Sequence, residues 1–127
     1  MKKVITLTEN DLVRLIKKVI SEQMKVDDSE VSQFIKTPNK LVILDFTAEW
    51  CGPCQKIKKH FDEIIENPKL SNKFILGSYD FSFSSPLAKK YNIQGIPYVM
   101  FFRNGKMIHK FVGYKDKEHI VSLIQKL

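Results

Sequence analysis

Cys51 and Cys54 are the only cysteines in this 127-residue chain, and two residues separate them. Such a pair is either one dithiol/disulfide or half of a metal site. A four-ligand zinc site needs two more Cys or His within reach. The three histidines, His60, His109 and His119, are scattered without paired spacing. Redox chemistry is therefore the better reading, with no metal expected.

The neighbouring residues say how the pair is held. The apolar run Leu41-Val42-Ile43-Leu44 stops at Asp45 and leads into Trp50. Beyond Cys54, Ile57, Phe61, Ile64 and Ile65 recur at three- and four-residue steps, which predicts a helix over 55–66. The pair thus lies where a buried strand ends and a helix begins. Pro53 suits the first helical turn, where a missing N–H costs little, and Gly52 allows a tight turn. Cys51 then faces the unpaired N–H groups and positive dipole end of the helix, which favours its thiolate, the nucleophile. Cys54, one turn further in, is expected to be shielded and to attack only after a mixed disulfide forms.

Three motifs carry a resemblance. Trp50-Cys51-Gly52-Pro53-Cys54, Asp45 six residues before Cys51, and Gly95-Ile96-Pro97, ending 43 residues after Cys54, together resemble the thioredoxin family. The likeness covers residues 28–127. It implies a thioredoxin-like α/β fold, a central mixed sheet with helices on both faces. It also implies that Asp45 is buried behind Cys54 and exchanges protons, through water, as Cys54 becomes a thiolate. Burial would raise the Asp45 pKa, suiting a general base near neutral pH. The Ile96-Pro97 bond is implied to be cis and to face Trp50 and Cys51, aiming the Ile96 backbone at an extended substrate strand. By the same resemblance Trp50, Gly52, Pro53, Ile96, Pro97 and Gly113 contact substrate.

The implied activity is reduction of protein disulfides by the Cys51/Cys54 dithiol, with no bound cofactor. Disulfide-containing proteins are the implied partners, and a flavoprotein thioredoxin reductase the electron donor. A disulfide isomerase or oxidant, a reductant dedicated to one partner, and a non-catalytic scaffold stay open. The Gly-Pro between the cysteines favours a reductant by resemblance, and the intact pair disfavours a scaffold. Asp45-Phe46-Thr47-Ala48-x-Trp50-Cys51 also resembles the soluble end domains of membrane-bound disulfide reductases. Four departures stand out. Thr47 replaces a frequent aromatic, Lys59 a helix-kinking proline, and Tyr98 a small polar residue. A lysine often found near the buried acid, on the strand over 74–80, has no match.

Composition sets the outer bounds. The 43% hydrophobic and 28% charged content is that of a soluble globular protein, and the length suits one core. No apolar run approaches a membrane span. Met1-Lys2-Lys3 mimics a signal-peptide start, but Thr6, Thr8, Glu9, Asn10 and Asp11 interrupt what would be its apolar region. A cytoplasmic monomer is expected, and a lone redox pair fits a reducing compartment. The net charge of +7 comes from lysines spread along the chain without arginine-aromatic interleaving, so nucleic acid is not an expected partner. The run Lys56, Lys58, Lys59 and His60 could steer acidic protein substrates.

Residues 1–26 read as an amphipathic helical extension ahead of a redox domain over 27–127. Thr8 to Asp11 has the shape of a helix start. Leu12, Leu15, Ile16, Val19 and Ile20 then mark one apolar face. The extension could dock a partner or a membrane surface, or pack on its own domain. Val4 to Thr8 as the sheet's first strand is the competing reading. The remainder predicts a helix over 28–36, strands over 41–47, 74–80, 98–102 and 107–112, a helix from Pro86 to about Tyr91, a hairpin turn at Asn104-Gly105, and a closing helix over 115–127.

Overall fold

The computed structural model describes residues 24–127. The amphipathic extension, apart from its last three residues, and the competing strand at Val4–Thr8 lie outside the described residues.

The chain forms β1 (Met24–Lys25), α1 (Val31–Phe34), β2 (Leu41–Thr47), α2 (Gly52–Ile65), α3 (Pro68–Ser71), β3 (Phe74–Asp80), α4 (Pro86–Lys90), β4 (Tyr98–Arg103), β5 (Lys106–Val112) and α5 (Lys117–Lys126). The strands make one mixed sheet in the order β1-β3-β2-β4-β5. The pairs β1/β3 and β2/β3 are parallel, and β2/β4 and β4/β5 are antiparallel. The β4–β5 ladder shifts register at Phe101/Phe102.

β2 sits at the centre with every residue from Leu41 to Phe46 buried, as a continuous apolar run requires of a strand covered on both faces. Alternation then divides its side chains. Leu41 and Ile43 pack with Ile57, Phe61 and Ile64 of α2 and with Ile120 and Ile124 of α5. Val42, Leu44 and Phe46 pack with Val31 of α1, with Leu87 and Ala88 of α4, and with Tyr98 and Met100. Asp45, two residues beyond Ile43, falls on the α2 face.

Three short elements differ from expectation. Met24–Lys25, assigned by sequence to the extension, is the parallel edge strand beside β3, pairing Met24 with Gly77. Val26 next to it is buried in the core. Two exposed residues carry no alternation from which to read a strand. A methyl group on Gly77 would meet the Phe34 ring at 2.6 Å and Val26 at 2.7 Å, so glycine there lets α1 and the β1 end close over the sheet. Pro68, a residue that cannot continue the helix before it, starts the further short helix α3, with the Asn67 side chain accepting from the Lys69 N–H at 3.0 Å. The helix expected over 28–36 shortens to Val31–Phe34. Asp27 ahead of it accepts from the Ser29 and Glu30 N–H groups and holds 27–30 in a turn. Asn104 (φ 52) and Gly105 (φ 82) both take the left-handed conformation that a two-residue hairpin demands.

Candidate active site

The cysteine pair sits where β2 gives way to α2. Cys51 is the N-cap of α2, in extended conformation, and its Sγ accepts from the Cys54 N–H at 3.2 Å. Gly52 and Pro53 form the first turn, where proline sacrifices no helical hydrogen bond. Cys51 and Cys54 are joined as a disulfide with 5.2 Å between Cα atoms, inside the range that such a bridge spans. Both are buried, Cys54 completely and Cys51 to 6% exposure, while Trp50 beside them is 72% exposed. Cys51 is thus at the helix mouth and Cys54 one turn beneath it.

The turn before the helix is tied down. The Cys51 N–H donates to the Ala48 carbonyl at 3.2 Å, and the Gln55 side-chain amide donates to the same carbonyl at 2.9 Å. Gln55 carried no signal in sequence, because an exposed glutamine on a helix has no distinctive spacing.

Ile96 packs against the cluster of Ala48, Cys51 and Cys54. The Ile96-Pro97 bond is cis. Gly113, with φ +88, donates its N–H to the Pro97 carbonyl at 2.8 Å. Trp50, Gly52, Pro53, Ile96, Pro97 and Gly113 therefore belong to one neighbourhood, although they come from the α2 mouth, the loop before β4 and the end of β5.

Asp45 is the only buried charged residue among those described. Neither of its carboxylate oxygens has a hydrogen-bond partner. Burial pushes its pKa up from 3.8 to about 7, and the positive charge of Lys58 opposes that shift. Ser78 is the register partner of Asp45 on β3, at the strand where sequence reading seeks a lysine. The nearby positive charge comes instead from α2, four residues beyond Cys54, where helical spacing returns a side chain to the same side. A cleft of about 420 Å³ opens behind the site, lined by Thr47, Glu49, Gln55, Lys58, Ser78 and Asp80 among others. Thr47 and Ser78 share the sheet face of Asp45 by alternation and register, but Asp45 itself does not line this cleft. Neither cysteine lines it.

Among the described residues no group of three or more His, Cys, Asp or Glu is placed to hold a metal. No described helix is long and apolar enough to cross a membrane.

Comparison with known proteins agrees with this geometry. The family model Thioredoxin matches residues 22–126. The chain is 33% identical over 97 residues to thioredoxin of Mycoplasmoides gallisepticum, covering 76% of this chain and 93% of that protein. It is 31% identical over 86 residues to mitochondrial thioredoxin of Bos taurus, covering 68% of this chain and 51% of that protein. This chain thus spans about half the length of that mitochondrial relative and nearly all of the bacterial one. Among solved structures, thioredoxin of Plasmodium falciparum superposes with a TM-score of 0.69 at 30% identity, covering 81% of this chain and 97% of that one. Thioredoxin of Malassezia sympodialis gives 0.71 at 28% identity, covering 83% of this chain and 90% of that one. Because the match runs from ahead of the edge strand into the closing helix, and not over the cysteine motif alone, the chain belongs to the thioredoxin family.

Proposed function

We propose that the protein is a thiol-disulfide oxidoreductase that reduces protein disulfides with Cys51 and Cys54. The observation that carries this reading is the placing of the pair. Cys51 caps a helix N-terminus beside an exposed tryptophan, and Cys54 lies one turn beneath it within bonding distance.

The steps follow from that placing. The reduced Cys51 is favoured as a thiolate by the helix N-terminus. It attacks one sulfur of a substrate disulfide, breaking that bond and forming a mixed disulfide, and the departing substrate sulfur takes up a proton. Cys54 then gives its proton, through water, to Asp45 and attacks Cys51 Sγ. The second substrate sulfur leaves and is protonated, and two electrons have passed to the substrate. The chain is left with the Cys51–Cys54 disulfide. Trp50, Ile96, Pro97 and Gly113 receive the substrate chain, with the Ile96 backbone open to strand-like pairing. A carboxyl with a pKa of about 7 can both accept and return a proton near neutral pH.

The electron donor in this reading is a thioredoxin reductase, and the protein works as a monomer in a reducing compartment such as the cytoplasm. Relatives include mitochondrial and chloroplastic proteins, so the compartment is a separate question from the chemistry. Residues ahead of the edge strand act in docking to a partner or a membrane surface and not in catalysis. Reduction of insulin disulfides by the dithiol form tests the reading. The wild-type chain is expected to precipitate the insulin B chain with a thiol donor and with thioredoxin reductase. A chain lacking residues 1–21 is expected to retain that rate within about three-fold, since every proposed site residue lies between 45 and 113. No insulin reduction by the intact dithiol would refute the activity, and a shortened chain that fails to fold would refute the separation.

A further inference from the structure

His60 and Tyr114 are 54 residues apart in sequence, and neither belongs to the redox motif. Their side chains share one hydrogen bond, His60 Nε2 to Tyr114 Oη, at 2.7 Å. The rings lie 5.7 Å apart at 54°. His60 is on α2, six residues beyond Cys54, so it stands about 9 Å further along the helix axis. Tyr114 follows Gly113 directly, in the irregular segment between β5 and α5. Gly113 is itself bonded to the Pro97 carbonyl.

We propose that His60 is a positioning residue that holds Tyr114 as the outer wall of the groove receiving the substrate chain. The proposal rests on the oxidoreductase reading and deepens it. The wall needs an anchor because a segment without helix or strand hydrogen bonds does not fix a large side chain by itself. Here the anchor is the same helix that carries both sulfurs. Val112, at 52% exposure, and Tyr114, at 45%, together present apolar surface next to Gly113. The occupant is the peptide flanking a protein disulfide, for which an exposed aromatic ring offers large contact area at little ordering cost. The Nδ1 of His60 is buried without a hydrogen-bond partner and lies 3.8 Å from Glu63 Oε1, and that same oxygen is 3.9 Å from Lys117 Nζ of α5. A small disulfide reaches the sulfurs without touching the wall, so the strut separates protein substrates from small ones.

The test compares insulin with hydroxyethyl disulfide as substrates of the full chain and of His60→Ala, His60→Gln, Tyr114→Phe and the double variant His60→Ala/Tyr114→Phe. His60→Ala and Tyr114→Phe should each raise KM for insulin about three- to ten-fold, with kcat changed less than KM. The insulin-to-small-disulfide ratio of kcat/KM should fall by the same factor. The double variant should be no worse than the worse single variant, because one bond is lost in all three. His60→Gln, whose amide reaches the same hydroxyl, should recover most of the effect. An unchanged ratio in an otherwise active protein would overturn the strut alone, as would equal losses on both substrates or additive losses in the double variant. A wild-type chain that reduces neither substrate would overturn the oxidoreductase reading and the strut's role with it.

Discussion

Cys51→Ser should lower insulin reduction by roughly 1,000-fold or more, as removal of a nucleophile does. Cys54→Ser should also stop turnover, but for a different reason and with a different product. Cys51 then still attacks, and the mixed disulfide persists because nothing beneath it can resolve it. Pull-downs with Cys54→Ser should therefore recover disulfide-linked proteins, released by a reducing agent, and Cys51→Ser should recover almost none. The asymmetry follows from depth. Cys51 caps the helix at its open end and Cys54 is wholly buried one turn below. Equal trapping by the two variants would mean that either sulfur can lead, and the ordered two-step account would be wrong.

Asp45→Asn should change both the second chemical step and the pH dependence of stability. A carboxyl raised from 3.8 to about 7 keeps its proton in the folded protein through a window in which the unfolded chain has lost it. Between about pH 4 and pH 7 the native state thus binds more protons than the unfolded state, and stability falls as pH rises. Above pH 7 both states are ionised and the loss levels off. A shift of this size corresponds to roughly 4 kcal/mol. Asparagine at 45 has no proton to lose. Wild type should therefore lose about that much stability relative to Asp45→Asn between pH 4 and pH 8, measured by denaturant unfolding of the oxidised proteins. Using the difference between two pH values cancels the constant cost of burying an unpaired amide. In stopped-flow experiments the same variant should attack a substrate disulfide at nearly the wild-type rate and resolve the mixed disulfide roughly 10–100-fold more slowly near pH 7. Parallel stability profiles would show that Asp45 does not titrate in this window, and an unslowed second step would remove it from the mechanism.

How much of this could be read beforehand depends on the kind of signal each feature leaves. Leu41–Thr47 and Phe74–Asp80 are recognisable because each opens on an apolar run, Leu41–Leu44 and Phe74–Leu76, as buried parallel strands need, although both strands continue past it. Asn104-Gly105 announces its hairpin because few residues accept two successive left-handed conformations. Asp45 is legible as a charge that breaks an apolar run, and the cis bond at Pro97 only through resemblance, since a proline before a strand is equally compatible with a trans bond. β1 was out of reach. It is two exposed residues long, and its place in the sheet is decided by space beside Gly77 and by Val26 entering the core. α3 is a single turn with one buried side chain, Leu70, too short for any period to emerge. The positive charge acting on Asp45, which the resemblance implies on the neighbouring strand, comes from Lys58 on the helix, a replacement that only three-dimensional packing reveals. The His60–Tyr114 bond joins residues from two elements that meet only after the sheet has formed.

The reduction potential of the Cys51–Cys54 pair tests the central claim most directly. It can be read by equilibrating the protein with dithiothreitol or glutathione buffers and quantifying free thiols. A dithiol that drives reduction of other proteins' disulfides should lie near about −270 mV, the value typical of thioredoxins. A value at or above about −180 mV, the range of isomerases and oxidants, would leave the pair without the driving force to reduce protein disulfides and would contradict the account.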